Sequence, residues 1–161
     1  MKTKTLKQNT SNKDLGFLFL RLDSSNSPIY NNIIEIANNR PYDQTCIFSS
    51  DAGGWSGDQL PIFHVNEMKY FFGSIFVFDI ASLILTRDFP NLRKRIYYAF
   101  DLPWTDNPAT RYSDWNGIFC QNNLDIVCQN KNISDIYEIC WKKPLLIVPE
   151  INYESISEII K

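Results

Sequence analysis

The chain has 161 residues, a formal net charge of −2, and is 44% hydrophobic and 14% aromatic. That length suits one domain with its own core, and that composition excludes a disordered chain. The near-neutral charge gives no electrostatic reason to expect nucleic acid as a partner, and no apolar run reaches the roughly 18 residues of a membrane span.

Residues 1–14 carry Lys2, Lys4, Lys7 and Lys13 among polar neighbours and read as a flexible tail without the apolar centre of a signal peptide. The rest, 15–161, reads as one domain. Leu15–Leu22 is a first strand, apolar on both sides as a central parallel strand should be. Ser27 then caps a helix with Pro28 at its first position, and Ile29, Ile33, Ile36 and Ala37 form its inner stripe. Thr45–Phe48 is a strand, Ser49–Gln59 a loop rich in glycine, and Leu60–His64 another strand. A helical turn over Asn66–Phe72 ends at Gly73. Ile75–Phe78, a helix over Ala81–Leu85 and Ile96–Phe100 make a strand–helix–strand unit whose strands should be parallel.

Leu102–Tyr112 reads as a loop and Trp115–Asn123 as an ambiguous segment. Leu124–Cys128 is a strand, and Ser134 caps a helix to Trp141 with Ile136, Ile139 and Cys140 facing inward. Leu145–Val148 is a last strand and Tyr153–Ile160 a last helix. This alternation predicts an α/β three-layer sandwich with a mainly parallel, Rossmann-like sheet. The four cysteines, Cys46, Cys120, Cys128 and Cys140, form no CxxC pair, which fits a reduced, cytoplasmic protein.

In such sheets ligands bind beyond the carboxyl ends of the strands. Asp23, Asp79 and Asp101 each follow an apolar strand. Converging carboxylates there serve as a general base, hold sugar hydroxyls or bind Mg2+; the bland alternative is that each caps a helix. His64, the single histidine, ends a strand on the same edge and is a candidate base, against the commoner fate of a histidine bonded to the backbone. Asp79, Asp101 and His64 are thus the candidate catalytic groups. Asp23, Ser24, Trp55 and Trp104 are the candidate substrate-binding groups, the indoles as stacking surfaces unless they serve as core. No GxSxG elbow, GxGxxG turn or GxxxxGKS loop is present. Glu150 and Glu158 form an E-x7-E spacing, read here as coincidence.

The runs LPIFH…MKYFFGSIFVFDIASLIL…KRIYYAFDLPW and LDIVCQNKNISDIYEICWKKPLLIVPEINYESISEII resemble glycosyltransferase-like proteins of large tailed phages of marine bacteria. These in turn are similar to the amino-terminal Rossmann-type half of GT-B glycosyltransferases. The matching features are Phe78-Asp79, where a hydrophobic strand ends in aspartate, and Tyr97–Trp104. The resemblance implies a single GT-B-like half that binds or transfers a sugar or nucleotide sugar, with the nucleotide sugar and Mg2+ or Mn2+ as candidate cofactors and no metal ligands assigned. A host-cell cytoplasm is the implied location. The competing expectation is a non-enzymatic accessory protein that forms a homo-oligomer or binds a partner protein through Tyr97, Tyr98, Trp104, Tyr112 and Trp115.

Overall fold

Seven short apolar runs form the strands of one sheet in the computed structural model, which describes residues 14–20, 28–38, 45–50, 60–106 and 109–160. The expected tail (apart from Asp14), the connection bearing Asp23 and Ser24, and the loop bearing Trp55 lie outside the described residues. The elements in chain order are β1 (Leu15–Phe19), α1 (Pro28–Asn38), β2 (Thr45–Ser49), β3 (Ile62–His64) and, after a 3-10 turn over Val65–Tyr70, β4 (Ser74–Val77) and α2 (Ile80–Leu85). There follow β5 (Lys94–Ala99), α3 (Pro103–Asp106), α4 (Tyr112–Phe119), β6 (Leu124–Cys128), α5 (Lys131–Cys140), β7 (Leu146–Ile147) and α6 (Tyr153–Ile159).

Every strand pair is parallel, and the order is β3-β2-β1-β4-β5-β6-β7. Parallel neighbours need crossovers, and helices supply most of them. The result is the expected α/β sandwich with a Rossmann-like parallel sheet.

Strand side chains alternate between two apolar layers. Phe17, Ile47, Phe76, Ile96, Tyr98 and Val127 face the layer completed by Ile33 and Ile36 of α1 and by Ile156 and Ile159 of α6. Leu18, Phe48, Ile75, Val77, Tyr97 and Ile126 face the layer completed by Leu83 of α2, Trp115 and Phe119 of α4, and Tyr137 of α5. Both faces of the central strands are therefore covered, which is why their sequences are apolar throughout. Burying each such Phe or Ile stabilises the fold by roughly 1.5–3 kcal/mol. In the first layer Phe17 packs on Phe76 with ring centroids 5.7 Å apart.

Three expectations are corrected. Helix α5 begins at Lys131 because Asn130 accepts a hydrogen bond from the Ile133 amide and caps it, four residues before Ser134. Its buried side is Ser134 and Tyr137, whereas Ile139 is 83% exposed. The loop predicted over Leu102–Tyr112 contains α3, for which Pro103 supplies a first residue that needs no amide donor. Finally, Tyr97, Tyr98 and Trp115, expected at an interface, are buried in the core. They follow strand and helix periodicity inward, and their large apolar area is best used there.

Candidate ligand site at the carboxyl edge

A parallel sheet brings the last residue of every strand, and the loop after it, to one edge. Ligands of open α/β sheets sit at that edge, near the place where the strand order reverses. Here the reversal falls between β1 and β4, with β2 and β3 on one side and β5 to β7 on the other.

A cavity of about 490 Å3 opens at this edge, on the face covered by α1 and α6. Tyr98 and Phe100 reach it from the end of β5, and Gln129 from the residue after β6. Pro149, Glu150 and Ile151, in the connection from β7 to α6, form one wall; Ile29 and Asn32, in the first turns of α1, form the other. A site of this size with a mainly apolar surface and a few converging polar groups suits a small molecule. Phe100 is 40% exposed, so its ring is open to a ligand.

Tyr98 fixes the shape of the wall. Its hydroxyl donates to the carbonyls of Val148, at 2.9 Å, and Pro149, at 3.1 Å. These carbonyls immediately precede Glu150, so a side chain of β5 holds the backbone that carries the carboxylate. Burial, then the Glu150 carboxylate and Cys128, push the phenol up to about 12. It therefore stays protonated at neutral pH and keeps its role as donor.

The predicted residues lie elsewhere. Asp79 caps α2: its carboxylate accepts the Ser82 amide at 2.7 Å and the Ser82 hydroxyl at 2.6 Å. Asp101 follows β5, and partial burial, then Asp106, raise its carboxyl above the ordinary value, offset in part by its own amide. Asp79 and Asp101 follow neighbouring strands, and both add to the upward shift of Tyr97, whose main cause is burial. They therefore share one electrostatic neighbourhood, on the layer opposite the cavity. Within that layer the Tyr137 hydroxyl is buried next to Tyr97, without a partner at hydrogen-bond geometry among the described residues.

His64 ends β3 and is exposed; its Nδ1 accepts the Asn66 amide at 3.2 Å and caps the 3-10 turn. Between β3 and β4 stand β2 and β1, three steps of about 4.8 Å, so His64 lies on the order of 14 Å across the edge from the strand that carries Asp79. The sheet does not bring them together. Trp104 is enclosed by aromatic rings, with centroids 5.0 Å from Tyr137, 5.5 Å from Trp141 and 5.9 Å from Phe119. It packs against the core of that layer. Asp23, Ser24 and Trp55 lie outside the described residues.

Sequence reasoning missed Asn32, Phe100 and Gln129, set Glu150 aside as coincidence and assigned Tyr98 to an interface. The signal was present: Gln129 and Pro149-Glu150 follow apolar strands as directly as the aspartates do. Among the described residues no group of three or more His, Cys, Asp or Glu is arranged to hold a metal ion. No described helix is long and apolar enough to cross a membrane. The fold and the cavity together define a Rossmann-like α/β protein with a ligand-sized opening at its carboxyl edge. Comparison with protein-family models, curated proteins and solved structures finds no match to the chain.

Proposed function

We propose that the chain is a glycosyltransferase-like protein that binds, and with a suitable donor transfers, a sugar or nucleotide sugar at the carboxyl-edge cavity. The observation that carries this reading is the pairing, in one cavity, of an open aromatic ring, Phe100, with Glu150, Gln129 and Asn32. An aromatic face packs on the apolar face of a sugar ring, and carboxylate and carboxamide groups take its hydroxyls. In this reading Glu150 orients an acceptor hydroxyl in the cavity. The test is a thermal-shift screen against nucleotide sugars, free nucleotides, and Mg2+ or Mn2+. A ligand at about 100 times its Kd stabilises the native state by about 2.7 kcal/mol, enough to raise Tm by several degrees. The shift should disappear in Phe100→Ala. No shift with any sugar ligand at millimolar concentration would reject the reading.

A second reading, a non-enzymatic interaction protein, rests on a different surface. Phe63 is 45% exposed, Tyr70 67% and Phe72 59%, and the first two border a cleft of about 240 Å3 beside edge strand β3. It predicts a stable oligomer or partner complex that Tyr70→Asp disrupts, as read by light scattering, with no dependence on Phe100.

A further inference from the structure

The amino edge of the sheet, opposite the cavity, holds a buried cation without a counter-ion. Arg95, near the start of β5, alternates with Tyr97 onto the layer under α2, α4 and α5 and is 5% exposed. One terminal nitrogen of its guanidinium donates to the Asn123 side-chain oxygen. Its Nε is buried without a hydrogen-bond partner, and no carboxylate pairs with it among the described residues. A guanidinium carries five N–H donors and stays charged, and a buried charge left unpaired is costly. Its neighbours have the same sign. Burial, then Arg87 in the 3-10 turn after α2 (Thr86–Asp88), lower the Arg95 pKa. Lys142 donates to the Gln121 carbonyl at 3.1 Å and to the Leu124 carbonyl. Burial is the main cause that lowers its pKa; Asp125 and Cys120 oppose that shift and Arg95 adds to it. We propose that this edge takes a phosphate group, with the Arg95 guanidinium as principal donor and Arg87 and Lys142 as supporting charges.

Two kinds of negative charge compete for these cations. The first is the carboxyl ends of α2, α4 and α5, which lead to the starts of β5, β6 and β7 and carry about half a charge each. Their carbonyls already have donors. The Leu83 carbonyl accepts the Thr86 hydroxyl, the Tyr137 carbonyl accepts the Trp141 and Lys142 amides, and Lys142 covers the carbonyls just past α4. The second is carboxylates. Asp125 points to the opposite face, where Lys94 holds it at 2.9 Å. Asp88 and Glu138 are exposed, where solvent and salt screen them. Outside the described residues, 1–13 carry lysines and no acid. Asp43 precedes β2, a strand three spacings, or about 14 Å, from β5. The local surplus is positive and suits a doubly charged oxyanion, whose oxygens match the planar fork of an arginine.

The experiment is calorimetric titration and phosphorus NMR of the full chain. The probes are inorganic phosphate and a small sugar phosphomonoester, at constant ionic strength set with chloride. The two arms tell free phosphate from phosphate borne on a metabolite. The expected result is saturable binding of at least one probe with a Kd of about 1 mM or tighter. Arg95→Met should abolish it. Arg87→Ala, at an exposed residue, should weaken it by about 3-fold or more, and carries the test where Arg95→Met fails to fold. Phe100→Ala should leave it unchanged, which separates this edge from the cavity and lets either reading fail alone. Absence of saturable binding by both probes would overturn the proposal. So would binding that the arginine substitutions leave unaltered, or binding that Phe100→Ala abolishes.

Discussion

Asp101 illustrates how a residue that looks catalytic in sequence carries a different physical signature in the structure. Partial burial, then Asp106, raise its carboxyl above the ordinary carboxylate value. A group whose folded pKa is raised favours the folded state most when protonated, so its contribution is present below the unfolded pKa and lost as pH rises through the folded value. Ionised Asp101 is thus a mild liability at neutral pH. Asp101→Asn should raise Tm at pH 7 by no more than a few degrees, and the difference should vanish below about pH 3. Thermal melts of both proteins across that range check the sign; a Tm for Asp101→Asn that is lower at pH 7 would contradict it. Asp79 shows the other outcome. The sequence pattern of a strand running into aspartate and then an apolar segment is shared by sites and by helix caps, and here the carboxylate is bonded to Ser82. Which of the two it is depends on where the chain turns, and composition carries no record of that.

At the scale of elements, periodicity reports burial well and chain boundaries poorly. The strands of the sheet lie within or next to the predicted runs because continuous apolarity has one solution here, coverage on both faces. Helix α5 was misplaced because Asn130 and Ser134 are both competent caps, and the choice between them is made by packing of Tyr137 against Tyr97 and Phe119. The cavity is only half legible for a related reason: Phe100, Gln129 and Glu150 each stand at or after the end of an apolar strand, but they converge through the strand order rather than through any local motif. Two glycines test the elements directly. A side chain at Gly73 would overlap the Asp14 carbonyl oxygen and the Phe71 ring, where the start of β4 passes the start of β1. Backbone cannot move aside cheaply, so Gly73→Ala should destabilise by about 2 kcal/mol or more. Gly117 lies within α4 with open space around it, so Gly117→Ala should stabilise by about 0.5–1 kcal/mol. Denaturant midpoints with unchanged slopes measure both.

Across the whole molecule the two layers differ in chemistry as well as in the helices that cover them. Cys46 and Cys128 are buried, and burial pushes each thiol up to about 12, with Asp14 adding to the effect at Cys46. Cys120 is exposed and Cys140 half-buried. Iodoacetamide at pH 8, followed by mass spectrometry, should label Cys120 first and leave Cys46 and Cys128 unmodified until denaturant is added; early labelling of Cys128 would mean that the layer opens readily. The aromatic distribution has a consequence for how such openings are seen. Trp104 lies with ring centroids 6.4 Å from Trp115 and 5.5 Å from Trp141. At these separations the indoles exchange excitation, so the three act as one emitter and should give a coupled near-ultraviolet dichroism signal. All three belong to the layer under α4 and α5, and the cavity-bearing layer contains no tryptophan among the described residues. The emission of these three indoles therefore watches one side of the sheet. Detachment of α1 or α6, the motion that would widen the cavity, would pass unseen by these three indoles and appear in amide hydrogen exchange.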